Sequence, residues 1–200
     1  PEDINNNTGV FQVSVRRQND CMVSGGYILV GDSAWMPKPI DAGGIGPALI
    51  AGTILGKNVV DAIEANDVTE KGLWQYHLDF IEEYGYKTAG LELFRRLVQT
   101  LTNEQISYGM KHFLGNVDVE AISKGEHPDF SGLSKLGMII RGAMNKTVAN
   151  GLKYTSQQNQ WLVEHYRNYP KEPEGFEEWE KSLHKTLDES FAKIATFSKN

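Results

Sequence analysis

Cysteine, basic charge and long apolar runs are scarce in this 200-residue chain, and each scarcity excludes a class of protein. The single cysteine, Cys21, has no partner for an internal disulfide, so a reducing compartment fits the sequence. Lysine and arginine total 20 against 26 acidic residues, and the net charge of −6 disfavours nucleic acid as a partner. No apolar run approaches the roughly 18 residues of a membrane span, so no transmembrane helix is predicted.

The most informative stretch, residues 25–63, has the order strand, glycine-rich loop and helix. Residues 27–30 are apolar and β-prone, which predicts a short buried strand. The loop that follows contains Pro37, Pro39, Gly43 and Gly44. From Ile45 onward, apolar and small residues recur at helical spacing. This order presents free backbone N–H groups and the positive end of a helix to an anion or a polarised oxygen.

Two features of this stretch favour a ligand site. Asp32 follows the strand end at Gly31, where a carboxylate can accept hydrogen bonds from ligand hydroxyls. Gly43 and Gly44 allow positive φ and a close approach of the backbone to a flat ligand. The alternative is a buried strand, a loop and a packing helix with no ligand. The glycines alone do not separate the two interpretations, and the aspartate directly upstream favours the ligand.

These residues resemble the second flavin motif of the FAD-dependent reductases and hydroxylases. The resemblance is carried by Gly31-Asp32-Ser33-Ala34, then Pro39, then Gly43-Gly44-Ile45-Gly46-Pro47-Ala48 and Gly52. Within that superfamily the chain is most similar to the geranylgeranyl reductase group, which includes the archaeal digeranylgeranylglycerophospholipid reductases. Two positions depart from the pattern, because Ser33 stands where alanine is commoner and Ala42 stands where the family usually has another glycine.

The resemblance implies an FAD-dependent oxidoreductase that saturates C=C bonds of prenyl chains in membrane-lipid or isoprenoid biosynthesis. The cofactor-binding residues that it implies are Gly31, Asp32, Pro39, Gly43, Gly44 and Ile45. In the family the aspartate binds the ribityl chain of FAD, which is the role implied for Asp32. The loop glycines and Ile45 would supply backbone beside the N1–C2=O edge of the flavin. No residue stands out as a proton donor, and no spacing of Cys, His or carboxylates indicates a metal site.

The resemblance also implies partners and leaves two rival functions open. The implied partners are a prenylated lipid substrate and an external electron donor, either NAD(P)H or ferredoxin. The expected location is cytoplasmic, with peripheral contact at the membrane as an open option. One rival is another FAD reaction of the superfamily, catalysed by a hydroxylase or halogenase. The other, from a different class, is a non-enzymatic helical interaction module.

The expected fold class is α+β, mostly α, in two parts. Residues 1–66 would form the C-terminal section of a FAD-binding domain, with two or three strands and a long helix, and residues 67–200 a helical domain. No GxGxxG or βαβ unit precedes Gly31, although a flavoprotein of this family needs an N-terminal Rossmann unit. We therefore expect the C-terminal portion of a longer reductase. The alternative is a complete small protein that shares only the motif.

Upstream of the motif, residues 9–17 alternate well enough to predict a strand. Arg16 and Arg17 at its end would either meet the pyrophosphate or the isoalloxazine edge, or form a solvated pair. Cys21 is predicted to be a small buried or half-buried residue rather than a redox group, because a reactive thiol needs a neighbouring cation or a partner cysteine.

Downstream, the apolar spacing predicts a mainly helical chain. The predicted helices cover residues 69–84, 87–101, 103 to about 114 and 176 to about 197. The first would be capped by Asp67 or Thr69, and its apolar face includes His77 as a structural histidine. Residues 131–167 combine helical spacing with four glycines. They would either pack back on the flavin domain or form an apolar surface for a bilayer or a prenyl chain.

Overall fold

The computed structural model describes residues 12–112, 120 and 145–197. In chain order the described elements are β1 (Val23–Ser24), β2 (Tyr27–Ile28), a 3-10 turn (Gly31–Ala34), α1 (Ile45–Glu64), α2 (Glu70–Leu73), α3 (Gln75–Phe80), a π-helical turn (Ile81–Gly85), α4 (Tyr86–Thr100), α5 (Asn103–His112), α6 (Lys146–Arg167), a second 3-10 turn (Pro173–Gly175) and α7 (Phe176–Ala195). The described residues are mostly helical with one two-stranded sheet. The predicted class, α+β and mostly α, is confirmed.

The strand content is smaller than the sequence predicts. β1 pairs antiparallel with β2 across a turn in which Gly26 has φ +70°. The predicted strand over residues 27–30 is therefore reduced to two residues. Residues 12–17 contain no strand, and the rest of the predicted strand 9–17 lies outside the described residues.

The segment before β1 is held by side chains, which explains the missing strand. Gln18 Nε2 donates to the Gly85 carbonyl at 3.1 Å, and the Arg17 backbone N–H donates to Glu92 Oε2 at 3.3 Å. Both partners belong to the π-helical turn and α4, so the segment runs into the helical core. Alternation of residue types predicts a strand only where a neighbouring strand completes the hydrogen bonds.

A nearly continuous helical run extends from Glu70 to Thr100. The Thr69 side chain caps it by accepting from the Gly72 N–H at 3.3 Å. The apolar face predicted within residues 69–84 is buried throughout: Leu73, Trp74, His77, Phe80, Ile81 and Tyr84. The gap predicted between residues 84 and 87 is wrong, because the π-helical turn joins α3 directly to α4.

Helix α1 begins at Ile45, as predicted, and buries only one side. The buried residues are Pro47, Ala51, Asn58 and Ala62. This side packs against α2, α3 and the 3-10 turn at Gly31–Ala34. On the other side large apolar residues are exposed: Ile45, Leu49, Val60 and Ile63. The apolar positions that indicated the helix therefore include several that meet solvent in the described chain.

Helices α4, α6 and α7 form the main helical layer. α4 packs along α6, and α7 lies against both. Aromatic rings fill the region between α3 and α7, where Trp74 stacks on Tyr169 and the Trp74 indole donates to the Pro170 carbonyl at 2.7 Å. The predicted helix over 176 to about 197 is confirmed as α7, with Trp179, Leu183, Leu187 and Ile194 buried. Within the ranges described, no helix has the length and apolar character to cross a bilayer.

The structure describes only part of the stretch from residue 131 to residue 167. Residues 146–167 form helix α6, whose buried side includes Val148, Leu152 and Leu162. In this part, α6 packs against α4 and α7, which lie within the predicted helical domain. Packing of this stretch on the flavin domain stays a prediction. The remainder of the stretch up to residue 144 lies outside the described residues.

Candidate functional site

The 3-10 turn Gly31–Ala34 presents Asp32 at the surface. Gly31 has φ +66°, a left-handed conformation that glycine adopts without a steric penalty. The Met36 N–H donates to the Gly31 carbonyl at 3.2 Å, and the Ser33 hydroxyl donates to the Val30 carbonyl at 2.8 Å. These bonds fix the turn while the Asp32 side chain stays exposed.

Asp32 and Gly44 meet at the start of α1. A Cβ at position 44 would lie 3.2 Å from Asp32 Oδ1 and 3.3 Å from Pro37 Cγ. The first helical bond runs from the Ala48 N–H to the Gly44 carbonyl at 3.0 Å, so the N–H of Ile45 precedes the helical ladder. No side chain of the described residues caps this end. A carboxylate and an uncapped helix start thus lie side by side, which suits a ligand with both hydroxyls and acceptor oxygens.

The loop before α1 is closed by internal bonds. The Lys38 N–H donates to the Gly43 carbonyl at 3.2 Å, and the Ala42 N–H donates to the Lys38 carbonyl at 3.0 Å. Lys38 Nζ lies 2.8 Å from Asp41 Oδ2. Although burial opposes it, hydrogen bonds from Lys38 and Gly43 lower the pKa of Asp41.

The conformational reason for the loop glycines differs from the prediction. The positive φ of this loop is found at Ala42, at 57°, whereas Gly44 has φ −99° and Gly43 is not among the positive-φ glycines described. The expectation that Gly43 and Gly44 use positive φ is therefore wrong. At Gly44 a Cβ would be crowded by Asp32 and Pro37, whereas a Cβ at Gly43 would lie 2.8 Å from Lys38 Cε, the end of a flexible side chain that can move aside.

An open depression of about 510 Å³ lies over this loop. It is lined by Lys38, Ala42, Gly43, Gly44, Ile45, Gly46, Pro47 and Tyr84. Three of the predicted site residues, Gly43, Gly44 and Ile45, line it, and Asp32 adjoins it at Gly44. Pro39 is buried beneath the loop and Gly31 sets the turn, so these two shape the site without lining the depression.

Tyr84 is the lining residue that the sequence motif does not contain. It comes from the π-helical turn, and 5% of its surface is exposed. Among the described residues, none forms a hydrogen bond with its phenol oxygen. Burial, with the nearby Asp41 charge, raises the pKa of Tyr84, so the phenol stays protonated at neutral pH. Helical spacing indicated only a core position, because a π turn leaves no simple signal in sequence.

Comparison with known proteins gives relatives of one kind, while no family model matches the chain. A digeranylgeranylglycerophospholipid reductase from Sulfolobus acidocaldarius is 33% identical over 179 residues, which cover 88% of this chain and 39% of the relative. Reductases of the same name from Methanocella arvoryzae and Methanopyrus kandleri are 30% identical over 100 residues and 41% identical over 59 residues. These two alignments cover 50% and 30% of this chain, and 25% and 16% of the relatives.

The chain is a relative of the geranylgeranyl reductases. The alignment with the Sulfolobus reductase includes most of the present chain, so the similarity extends well past the flavin motif. At the same time, the chain spans about two fifths of the length of that reductase.

The residues present fit the flavin that geranylgeranyl reductases use. A side chain at position 44 would fill the space between Asp32 and Pro37, and glycine leaves that space open. Asp32 offers acceptor oxygens for hydroxyls, and the N–H of Ile45 points out of an uncapped helix end. The buried phenol of Tyr84 adds a donor without a partner in the described chain.

The two arginines upstream of the reductase motif take different places. The Arg16 guanidinium lies 4.1 Å from the centroid of the Trp35 ring, beside the turn that carries Asp32. Arg17 is 4% exposed and pairs with Asp20 at 2.8 Å and with Glu92 at 3.4 Å. The prediction that Arg16 and Arg17 form a solvated pair is therefore wrong. Arg17 is committed to two buried carboxylates, which leaves Arg16 as the one nearer the motif.

A second, apolar cavity of about 250 Å³ lies between α4, α5 and α6. Its lining residues are Ile40, Phe94, Leu97, Val98, Leu101, Gln105, Ile106, Gly109, Met110, Val148 and Leu152. Ile40 belongs to the loop that precedes α1, so the same loop contributes residues to the cavity and to the depression.

Cys21 and His77 have structural positions, as predicted. Cys21 is half-buried, and burial raises the pKa of its thiol. His77 is fully buried, and its Nε2 accepts a hydrogen bond from the Met22 N–H at 3.1 Å. Desolvation lowers the pKa of His77 to about 3. Neutral His77 therefore joins α3 to the start of the hairpin.

One group of side chains in the described chain has the composition of a metal site. Ligand atoms of Asp20, Glu180 and His184 lie within 4.8 Å of one another. Asp20 Oδ2 already lies 2.8 Å from both Arg17 Nη2 and His184 Nε2. The arrangement is that of an ion-pair network, in which the arginine supplies the positive charge that a cation would bring.

Proposed function

We propose that this chain forms the flavin-facing part of an FAD-dependent reductase that saturates C=C bonds in the prenyl chains of membrane lipids. The observation that carries the proposal is the meeting of Asp32 and Gly44 at the uncapped start of α1. This geometry occurs in a chain 33% identical, over 88% of its length, to a named digeranylgeranylglycerophospholipid reductase. Reduced FAD supplies the hydride for such a reaction.

The six motif residues have distinct proposed roles at the cofactor. Asp32 accepts hydrogen bonds from the ribityl hydroxyls, each worth about 1.5–3 kcal/mol for a charged acceptor. The N–H of Ile45 and the positive end of α1 bind the N1–C2=O edge, which a helix terminus stabilises by about 0.3–1 kcal/mol. Gly43 and Gly44 let the flat ring approach the backbone. Gly31 allows the left-handed backbone of the turn, and Pro39 restricts the backbone of the loop.

The proposed substrate is a prenylated lipid, and the apolar cavity supports this class. Its walls are almost entirely hydrocarbon, and they include Ile40 of the loop before α1, the loop that also lines the depression. An isoprenoid chain has no polar groups to satisfy, so such a cavity binds it by burial alone and keeps water from the double bond. The remaining proposed partners are an external electron donor, NAD(P)H or ferredoxin, and a membrane surface contacted peripherally.

We also propose that the flavin-binding section ends near residue 66. Helix α1 ends at Glu64, and Asn66 adopts a left-handed backbone with φ 53° before the helical run begins. A further part of the reductase, the proposed Rossmann unit, would cover the exposed side of α1. The exposed fractions of Ile45 (81%) and Leu49 (68%) support such a contact.

The test uses protein expressed from the complete gene. A flavin absorption spectrum, together with a digeranylgeranyl glycerophospholipid that gains two hydrogen atoms per double bond under anaerobic reduction with dithionite, is the expected result. Mass spectrometry of the lipid measures the gain. Protein without flavin would support an interaction module instead. Oxygen consumption coupled to NAD(P)H and an aromatic substrate would support a hydroxylase, an alternative that the reductase names of the relatives do not favour.

A further inference from the structure

Tyr84 occupies an unusual place for a core tyrosine. It lies in the π-helical turn Ile81–Gly85, between α3 and α4, and it is one of the residues that line the depression over the loop before α1. π-helical turns are rare and are frequently found at functional sites, because the extra residue redirects side chains out of the α-helical register. The turn thus brings a polar group to the depression from an element that is distant in sequence from the motif.

The hydroxyl of Tyr84 makes no hydrogen bond within the described fold. Its oxygen is buried and has no hydrogen-bond partner among the described residues. Two other buried tyrosines are paired, since Tyr76 donates to the Leu29 carbonyl at 3.3 Å and Tyr169 donates to the Asp20 carbonyl at 2.8 Å. Tyr166 also lacks a hydrogen bond of good geometry, but its phenol interacts with the Arg17 guanidinium away from the depression. A buried hydroxyl without a partner destabilises a protein and needs an explanation, and a ligand bound at the depression that Tyr84 lines supplies one.

We propose that the phenol of Tyr84 donates a hydrogen bond to the flavin ring held against the loop, at an acceptor atom of its pyrimidine end. The inference rests on the proposed function and adds a binding residue that the flavin motif does not include. The lining of the depression supports this end of the ring, because Gly43, Gly44 and Ile45 are the residues proposed for the N1–C2=O edge.

The protonation state of the phenol favours donation. Burial raises the pKa of Tyr84, so the hydroxyl keeps its proton at neutral pH. The charged groups nearest to it in the loop are Lys38 and Asp41, which lie 2.8 Å apart as an ion pair. A flavin gains negative charge at its pyrimidine end on reduction, so a donor placed there stabilises the reduced form more than the oxidised form.

The experiment compares Y84F with Y76F in flavin-loaded protein from the complete gene. After the flavin is removed, we expect Y84F to melt at an unchanged or higher temperature than the wild type, because without flavin the hydroxyl that it lacks is unpartnered in the described chain. The dissociation constant of oxidised flavin should rise roughly threefold to tenfold. If the reduced form loses a further factor of ten, the two-electron midpoint potential becomes about 30 mV more negative. Y76F should lower the melting temperature and leave flavin affinity and potential unchanged, because its hydroxyl bonds to Leu29.

The outcomes separate this inference from the proposed function. Wild-type protein that binds no flavin would overturn both. Flavin binding by wild-type protein with the same affinity and potential in Y84F would overturn the role of Tyr84 and leave the proposed function standing. A Y84F protein that fails to fold, or that melts at a clearly lower temperature than the wild type when both are free of flavin, would also overturn it, because the hydroxyl would then have a structural partner.

Discussion

Ala42, in the loop before α1, has a backbone conformation that is poorly suited to its side chain. Its φ of 57° is left-handed, where a Cβ crowds the following carbonyl at a cost of roughly 1–2 kcal/mol. Glycine removes this crowding but has more freedom in the unfolded chain. We expect A42G to raise the free energy of unfolding by about 0.5–1 kcal/mol, as measured by urea denaturation.

The matched control for A42G is A192G. Ala192 lies exposed within α7, where the backbone is helical. There glycine should lower the free energy of unfolding by about 1 kcal/mol. If both variants lose stability to the same extent, Ala42 does not have the left-handed conformation described.

Gly44 leads to a second prediction at this scale. A Cβ would lie 3.2 Å from Asp32 Oδ1, and the branches of valine extend further into the same space. G44V in protein from the complete gene should therefore lose most of its bound flavin, read from the absorbance ratio of flavin to protein. At Gly56 an added Cβ would meet no neighbouring atom within 4 Å in the described chain, so G56A serves as the control and should keep full occupancy. Full occupancy in G44V would make the glycine purely structural.

At the scale of the elements, the junction between α3 and β1 should make stability depend on pH. Desolvation lowers the pKa of His77 to about 3 in the folded protein, against roughly 6.5 in the unfolded chain. The unfolded chain therefore binds more protons, and stability that is present above pH 6.5 is lost as the pH falls toward 3. Between pH 7 and pH 5 the loss from this residue should be about 2 kcal/mol.

The comparison with H77Q isolates that contribution. Glutamine is neutral throughout and keeps an acceptor for the Met22 N–H, which His77 Nε2 accepts at 3.1 Å. Burial also lowers the pKa of His165, so both proteins lose some stability in acid. Urea unfolding at the two pH values should give a smaller loss for H77Q by about 2 kcal/mol. Equal losses would show that His77 is accessible to protons in the folded state.

Elements fixed by local pattern could be predicted, and elements fixed by distant partners could not. The starts of α1 and α7 follow from apolar spacing and from the residues that precede each helix. The predicted strand is absent from residues 12–17 because Gln18 and Arg17 bond to the π-helical turn and to α4, far along the chain. Local alternation does not encode such partners.

The same distinction applies to the candidate site. Asp32, Gly44 and Ile45 are brought together by one continuous stretch, so their proximity could be anticipated from sequence. Tyr84 reaches the depression through a π-helical turn and through the packing of α1 on α3. Both are tertiary effects that no local motif carries. The binding roles of the motif residues stay predictions.

For the whole molecule, we expect the 200-residue chain to bind FAD weakly by itself. Asp32 contributes about 1.5–3 kcal/mol and the helix end about 0.3–1 kcal/mol. These terms barely reach the roughly 4 kcal/mol of a millimolar complex, before the cost of lost ligand freedom. Titration of FAD into the purified chain, followed by flavin fluorescence, should give a dissociation constant near millimolar or weaker. A low-micromolar value would contradict a site that holds only one end of the cofactor.

Asp20 bonds to residues that are synthesised much later than itself, so its part of the fold is completed late in translation. Its carbonyl accepts from the Tyr169 hydroxyl, and its carboxylate meets His184, partners that lie 149 and 164 positions later in the chain. Translation at roughly 5–20 residues per second delivers α1 to α4 several seconds before either partner exists. During that interval the segment around Arg17 has no cover from α7. Helix α7 is synthesised after the other described helices, so it covers the first described segment late, and nascent chains stalled before α7 should leave that segment open to chaperones and proteases.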